Sequence, residues 1–126
     1  MMDASWAMGR CLLVVEDDEF IRLALAELLE DVGFAVITAG SFREAAGLLQ
    51  RPRAIDVVLL DQELGDGVGS ALVPLVRQVM PEAKVVFVTG KEDARLSPTA
   101  DALFRKDGRF DELLAFLLKL LPSHAL

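Results

Sequence analysis

Five side chains, far apart in this 126-residue chain, are of the types that phosphoryl chemistry needs: Glu16, Asp17, Asp61, Thr89 and Lys106. Each closes a strand-like stretch. Leu12-Leu13-Val14-Val15 leads into Glu16-Asp17-Asp18-Glu19, and Val57-Val58-Leu59-Leu60 into Asp61. Val85-Val86-Phe87-Val88 leads into Thr89-Gly90, and Leu103-Phe104-Arg105 into Lys106. Three carboxylates brought together repel one another unless a cation sits among them. Oxygen-only donors with room for water suit Mg²⁺. An ammonium and a hydroxyl beside them supply the charge and hydrogen bonds that phosphoryl oxygens take. A carboxylate can itself attack phosphorus and become an acyl phosphate. The set is coherent for phosphoryl transfer to Asp61.

For that chemistry the runs must be neighbouring strands whose carboxyl ends share one edge. Short apolar runs without alternation read as strands buried on both faces. Between them lie helical patterns. Phe20, Leu23, Ala24 and Leu28 recur at helical spacing and predict the apolar stripe of a first helix, stopped by Gly33. Phe34 to Ala39 reads as strand. Ser41 and Glu44 form a capping box that opens a helix to about Gln50. After Asp61 comes a glycine-rich loop, Gln62 to Gly69. Ala71 to Met80 reads as helix, with Pro74 confined to its first turn. Ala83 to Val88 is the fourth strand, Lys91 to Ala100 is irregular, Leu103 to Lys106 is a short fifth strand, and Asp111 to Leu121 is a leucine-rich helix. Five β-α alternations predict one doubly wound parallel sheet with helices on both faces. In such a sheet ligands bind at the carboxyl ends of the strands, where these five residues fall.

These same stretches resemble the response regulator receiver domain of two-component signalling, over roughly residues 10–121, with 1–9 and 122–126 as loose ends. The resemblance rests on Leu12 to Asp18, on Val57 to Asp61 with its glycine loop, on Val86-Phe87-Val88-Thr89-Gly90, and on Phe104-Arg105-Lys106. It implies a flavodoxin-like sheet of order 2-1-3-4-5. It implies that Asp61 accepts a phosphoryl group from a histidine kinase or His-containing phosphotransferase. Glu16, Asp17, Asp61 and the backbone carbonyl of Glu63 would then hold Mg²⁺. Lys106 would pair with the phosphoryl oxygens, and Thr89 would bond the phosphoryl group and pass on the signal. Such a chain is no enzyme beyond its own phosphorylation and dephosphorylation. It acts by changed protein contacts, free-standing or as part of a larger regulator.

Several positions depart from the family pattern. Gly65 replaces a common proline, and Leu103 stands where an aromatic residue is frequent. Asp107 replaces the proline after the lysine, often preceded there by a cis bond; before a non-proline residue that bond costs about 3–4 kcal/mol. The aim of Lys106 is therefore the open geometric question. Lys106 follows Thr89 by only 17 positions, so a fourth helix there is shortened or irregular. With the Phe-x-Thr-Gly stretch and the glycine loop, this is similar to a stand-alone subgroup whose motif is Phe-Ala-Thr-Gly. Glu63 and Lys91 are placed to pair across the mouth of the site and hinder hydrolytic water, or simply to be two solvated charges. Leu113, Leu114, Phe116, Leu117, Leu118, Leu120 and Leu121 cover more than one face of the last helix. That excess predicts a homodimer or partner docking through the fifth strand and last helix.

Two rival readings use the same residues. A haloacid-dehalogenase-like phosphatase also has a nucleophilic Asp after an apolar strand. It wants a second Asp two places on, where Glu63 stands, and its other acids late in the chain. A pseudo-receiver that only binds is the other. A net charge of −7 argues against nucleic acid and anionic membrane as partners. The single Cys11 forms no internal disulfide. No basic-then-apolar leader opens the chain and no apolar run spans a bilayer, so a soluble, cytoplasmic protein is expected. Gly65, Gly67 and Gly69 spell no dinucleotide fingerprint, and Gly90-Lys91 lacks the upstream glycine of a P-loop.

Overall fold

The computed structural model describes residues 7–51, 54–90, 100–106 and 108–121. In chain order the elements are β1 (Cys11–Val15), α1 (Glu19–Val32), β2 (Ala35–Ala39), α2 (Phe42–Leu49), β3 (Val57–Asp61), β4 (Glu63–Leu64), β5 (Gly67–Val68), α3 (Val73–Val79), β6 (Lys84–Thr89), β7 (Ala102–Arg105) and α4 (Phe110–Leu120). Five strands form one parallel sheet in the order β2-β1-β3-β6-β7. This is the doubly wound, flavodoxin-like order. Pro52, residues 91–99 with the expected irregular fourth helix, Asp107 and His124 lie outside the described residues.

The central strands are buried on both faces, which is why their sequences do not alternate. Leu13 and Val15 of β1 and Val58 and Leu60 of β3 pack into one core with Ala45 and Leu49 of α2 and Val73 and Val76 of α3. Leu12, Val14, Val57 and Leu59 point the other way, onto Leu29 of α1 and Leu113 and Leu117 of α4. Both cores are needed to clamp β1 and β3, whose carboxyl ends carry the acids.

Local signals set most boundaries. Gly33 takes φ 124° and closes α1, its N–H donating to the Glu30 carbonyl. The Ser41 hydroxyl accepts from Glu44 N–H at 3.0 Å, while the Glu44 carboxylate accepts from Gly40 N–H at 3.3 Å. Pro74 lies in the first turn of α3, where its missing N–H costs nothing. A 3₁₀ turn, Gly69–Leu72, precedes α3.

α1 corrects the expected stripe. Its inward residues are Ala26 and Leu29, with Leu25 and Val32 half-buried beside them. Phe20, Leu23 and Leu28 face solvent, Phe20 at 88% exposure. The helix has two apolar faces, and spacing alone picked the outer one. On α4, by contrast, Leu114, Phe116 and Leu120 pack partly against the core, leaving Leu118 as its exposed large apolar residue.

Candidate acceptor site at the carboxyl edge of the sheet

Each site residue is delivered by its strand. β1 extends one more rung beyond Val15, where Glu16 N–H donates to the Ala39 carbonyl of β2 at 3.0 Å. This fixes Glu16, 4% exposed, while Asp17 beside it stays open to solvent. Asp18 is spent on capping α1, accepting from Ile21 N–H at 3.0 Å, with Glu19 in the first turn. β3 ends on Asp61, 8% exposed, and β6 on Thr89, 3% exposed. Lys106 follows β7, its N–H donating to the Thr89 carbonyl at 2.7 Å.

Lys106 Nζ reaches into the site, 3.0 Å from Asp61 Oδ2 and 2.6 Å from Glu16 Oε1. Its aim is held by the register of β7 on β6, Thr89 opposite Arg105. Asp101, just before β7, reinforces that register. Its carboxylate accepts from Val85 N–H at 2.7 Å and pairs with Arg77 at 2.8 Å. Thus Lys106 reaches the acids with Asp107 in the place of the family's proline.

Carboxylate oxygens of Glu16, Asp17 and Asp61 lie within 4.8 Å of one another. Burial pushes Glu16 up to about 7; the Lys106 ammonium opposes the rise and Asp61 adds to it. Burial alone would lower Lys106, but its bonds to Glu16 and Asp61 outweigh that and hold it above the ordinary lysine value. One ammonium among three carboxylates leaves an excess of negative charge. All three ligands are hard oxygen donors, and one is solvent-exposed, so the set fits a divalent cation that keeps some of its water. A cleft of about 360 Å³ opens over the group, lined by Glu16, Asp17, Asp61, Glu63, Thr89 and Lys106 among others. The five side chains singled out for phosphoryl chemistry, Glu16, Asp17, Asp61, Thr89 and Lys106, come together there. Glu63 N–H donates to Asp61 Oδ1 at 3.2 Å, and its side chain is exposed. Lys91, the expected partner of Glu63, lies outside the described residues.

Sequence reasoning missed three supports. Arg22 Nη1 donates to the Glu16 carbonyl at 2.9 Å, beside Gly40 where a Cβ would crowd the guanidinium. The loop after Asp61 holds a small hairpin, β4 paired antiparallel with β5. Asp66, in its two-residue turn, reaches α2, accepting from Phe42 N–H at 2.7 Å and Arg43 N–H at 3.0 Å. These contacts hold the Asp66 carboxyl below the usual carboxylate range. The glycines marked a loop, but nothing local signalled the partner 23 or 24 residues away.

The family profile of the response regulator receiver domain matches residues 12–117. The chain belongs to that family. As a receiver domain it resembles the photosynthetic apparatus regulatory protein RegA of Cereibacter sphaeroides, 40% identical over 82 residues, 64% of this chain and 44% of RegA. It also resembles the alginate biosynthesis regulator AlgB of Pseudomonas aeruginosa, 38% identical over 89 residues, 71% of this chain and 19% of AlgB. The chain thus spans less than half the length of these two relatives. Among solved structures, TrrA of Thermotoga maritima, in complex with Mg²⁺-BeF, superposes with a TM-score of 0.77. It is 30% identical and covers 89% of this chain and 99% of that one. A CheY-like receiver of Methylobacillus flagellatus gives a TM-score of 0.78 at 27% identity, covering 88% of this chain and 98% of its own. The receiver domain is the part the comparisons describe. The dehalogenase-like reading is not favoured, since its acids belong late in the chain and here Glu16 and Asp17 follow β1. Among the described residues no helix is long and apolar enough to cross a membrane.

Proposed function

We propose that the receiver domain, residues 10–121, takes a phosphoryl group onto Asp61 from a phosphohistidine of a histidine kinase or His-containing phosphotransferase. The observation that carries this is the Lys106 ammonium held 3.0 Å from Asp61, between the two buried carboxylates Asp61 and Glu16. Asp61 attacks phosphorus; the P–N bond to the donor imidazole breaks as the P–O bond forms, and the imidazole leaves with the electron pair and takes up a proton. Glu16, Asp17, Asp61 and the Glu63 backbone carbonyl would hold Mg²⁺. When bound, the ion supplies positive charge to the phosphoryl oxygens. Lys106 would pair with the same oxygens, and the Thr89 hydroxyl would bond them. Thr89 stands opposite Arg105 in the β6–β7 ladder, so its movement biases β7 and α4 between two packings. The output is a changed protein contact rather than an enzymatic turnover.

The donor would approach across α1. Ile21 lines the acceptor cleft and also an adjoining apolar groove with Leu25, Leu28, Phe104 and Phe110. Among the described residues, Phe20, Leu23 and Leu28 of α1 are exposed large apolar side chains, as is Leu118 of α4. The test is incubation with acetyl phosphate and Mg²⁺ followed by intact mass measurement. A single phosphoryl adduct, lost in Asp61→Asn, is expected; an adduct that survives Asp61→Asn overturns the assignment.

A further inference from the structure

We infer that Asp66 is a positioning residue for the acceptor site: by fastening the β4–β5 hairpin to the first turn of α2, it fixes where the Glu63 backbone meets Asp61 and the cation. The inference rests on the reading of Asp61 as a Mg²⁺-assisted acceptor.

The loop from Gln62 to Gly69 is held at its base, through Leu64, which is buried in the core beside Glu63, and at its tip. At its base Gly69 N–H donates to the Gln62 carbonyl at 2.8 Å, and a Cβ on Gly69 would collide with the Asp61 carbonyl oxygen. At its tip the Asp66 carboxylate takes Phe42 and Arg43 N–H, one on each oxygen. A Cβ on Gly67 would come within 3.0 Å of the Phe42 ring, so the hairpin backbone lies close against that side chain. Glu63 sits between base and tip, its N–H on Asp61 Oδ1 and its carbonyl assigned to the cation. With base and Leu64 held but the tip free, the β4–β5 turn could still tilt and carry the Glu63 backbone with it. Pinning the tip to a helix that is itself packed into the core removes that freedom, and outer contacts of this kind tune metal affinity.

Asp66 could instead serve α2 alone, as a cap. But the helix has its own cap in Ser41, whose hydroxyl accepts from Glu44 N–H. The two roles separate in a titration of MgCl₂ into the full metal-free chain by calorimetry, with circular dichroism as a check on folding. Asp66→Ala is expected to weaken Mg²⁺ binding about tenfold, and Asp66→Asn, which keeps one acceptor oxygen, by less. Ser41→Ala is expected to lower the Tm with Mg²⁺ affinity unchanged. An unchanged affinity in Asp66→Ala, or an equal loss in Ser41→Ala, overturns the inference while leaving the acceptor reading intact. If Asp66→Ala does not fold, Asp66→Asn decides by the same criterion. A wild-type chain that binds no Mg²⁺ overturns both.

Discussion

Lys106 Nζ lies 3.0 Å from Asp61 Oδ2, though 45 residues separate the two in sequence. Lys106→Met keeps the apolar stem and removes the charge, leaving Glu16 and Asp61 facing each other. The lysine side chain is 25% exposed, so the cost falls between that of surface and buried pairs, about 2 kcal/mol. Urea unfolding of the metal-free protein checks it. Loss of a positioned cation should also slow phosphoryl uptake from acetyl phosphate about a hundredfold.

The crowded acids make the fold sensitive to a divalent cation. Mg²⁺ at a hundred times its dissociation constant should stabilise the protein by about 2.7 kcal/mol, and chelation should reverse the gain. In Asp17→Asn the stabilisation should shrink sharply, since a ligand of the cluster is lost. Thermal melts with and without Mg²⁺ read both effects.

Gly69→Ala should be among the costly single-methyl changes in the chain. The added carbon would run into the Asp61 backbone carbonyl, which cannot rotate away as a side-chain end would. Overpacking of this kind costs about 3 kcal/mol. The same shift moves Asp61, so denaturation and phosphoryl uptake should both register it.

Asp101 gives a pH signature. Burial would raise its carboxyl, but the Arg77 guanidinium and the Val85 N–H outweigh that and hold it below the ordinary 3.8. A depressed value means the folded state prefers the ionised form, so the contribution is fully present above pH 3.8 and is lost as pH falls through the folded value. The stability gap between wild type and Asp101→Asn should be flat near neutrality and close below about pH 4. Urea midpoints across that range measure it.

The sheet was legible because β1, β3 and β6 are covered on both faces, and such strands write themselves as unbroken apolar runs. The site was legible because Glu16, Asp61 and Thr89 each follow such a run, Lys106 follows the shorter, half-buried β7, and parallel order brings strand ends to one edge. α1 misled because Phe20, Leu23 and Leu28 share helical spacing as regularly as Ala26, Leu29 and Val32 do on the buried side. Only the neighbouring sheet decides which face turns inward. The Asp66 and Asp101 contacts join a side chain to a distant backbone group. No periodicity records such a bond.

The residue that takes the phosphoryl group decides whether Asp61 is the acceptor. After treatment with acetyl phosphate and Mg²⁺, borohydride converts an aspartyl phosphate to homoserine, which peptide mass mapping then locates. Homoserine at position 61, absent without Mg²⁺ and absent in Asp61→Asn, is the predicted result. Homoserine at position 17 or 66 instead, or an unmodified chain at saturating acetyl phosphate, would contradict it.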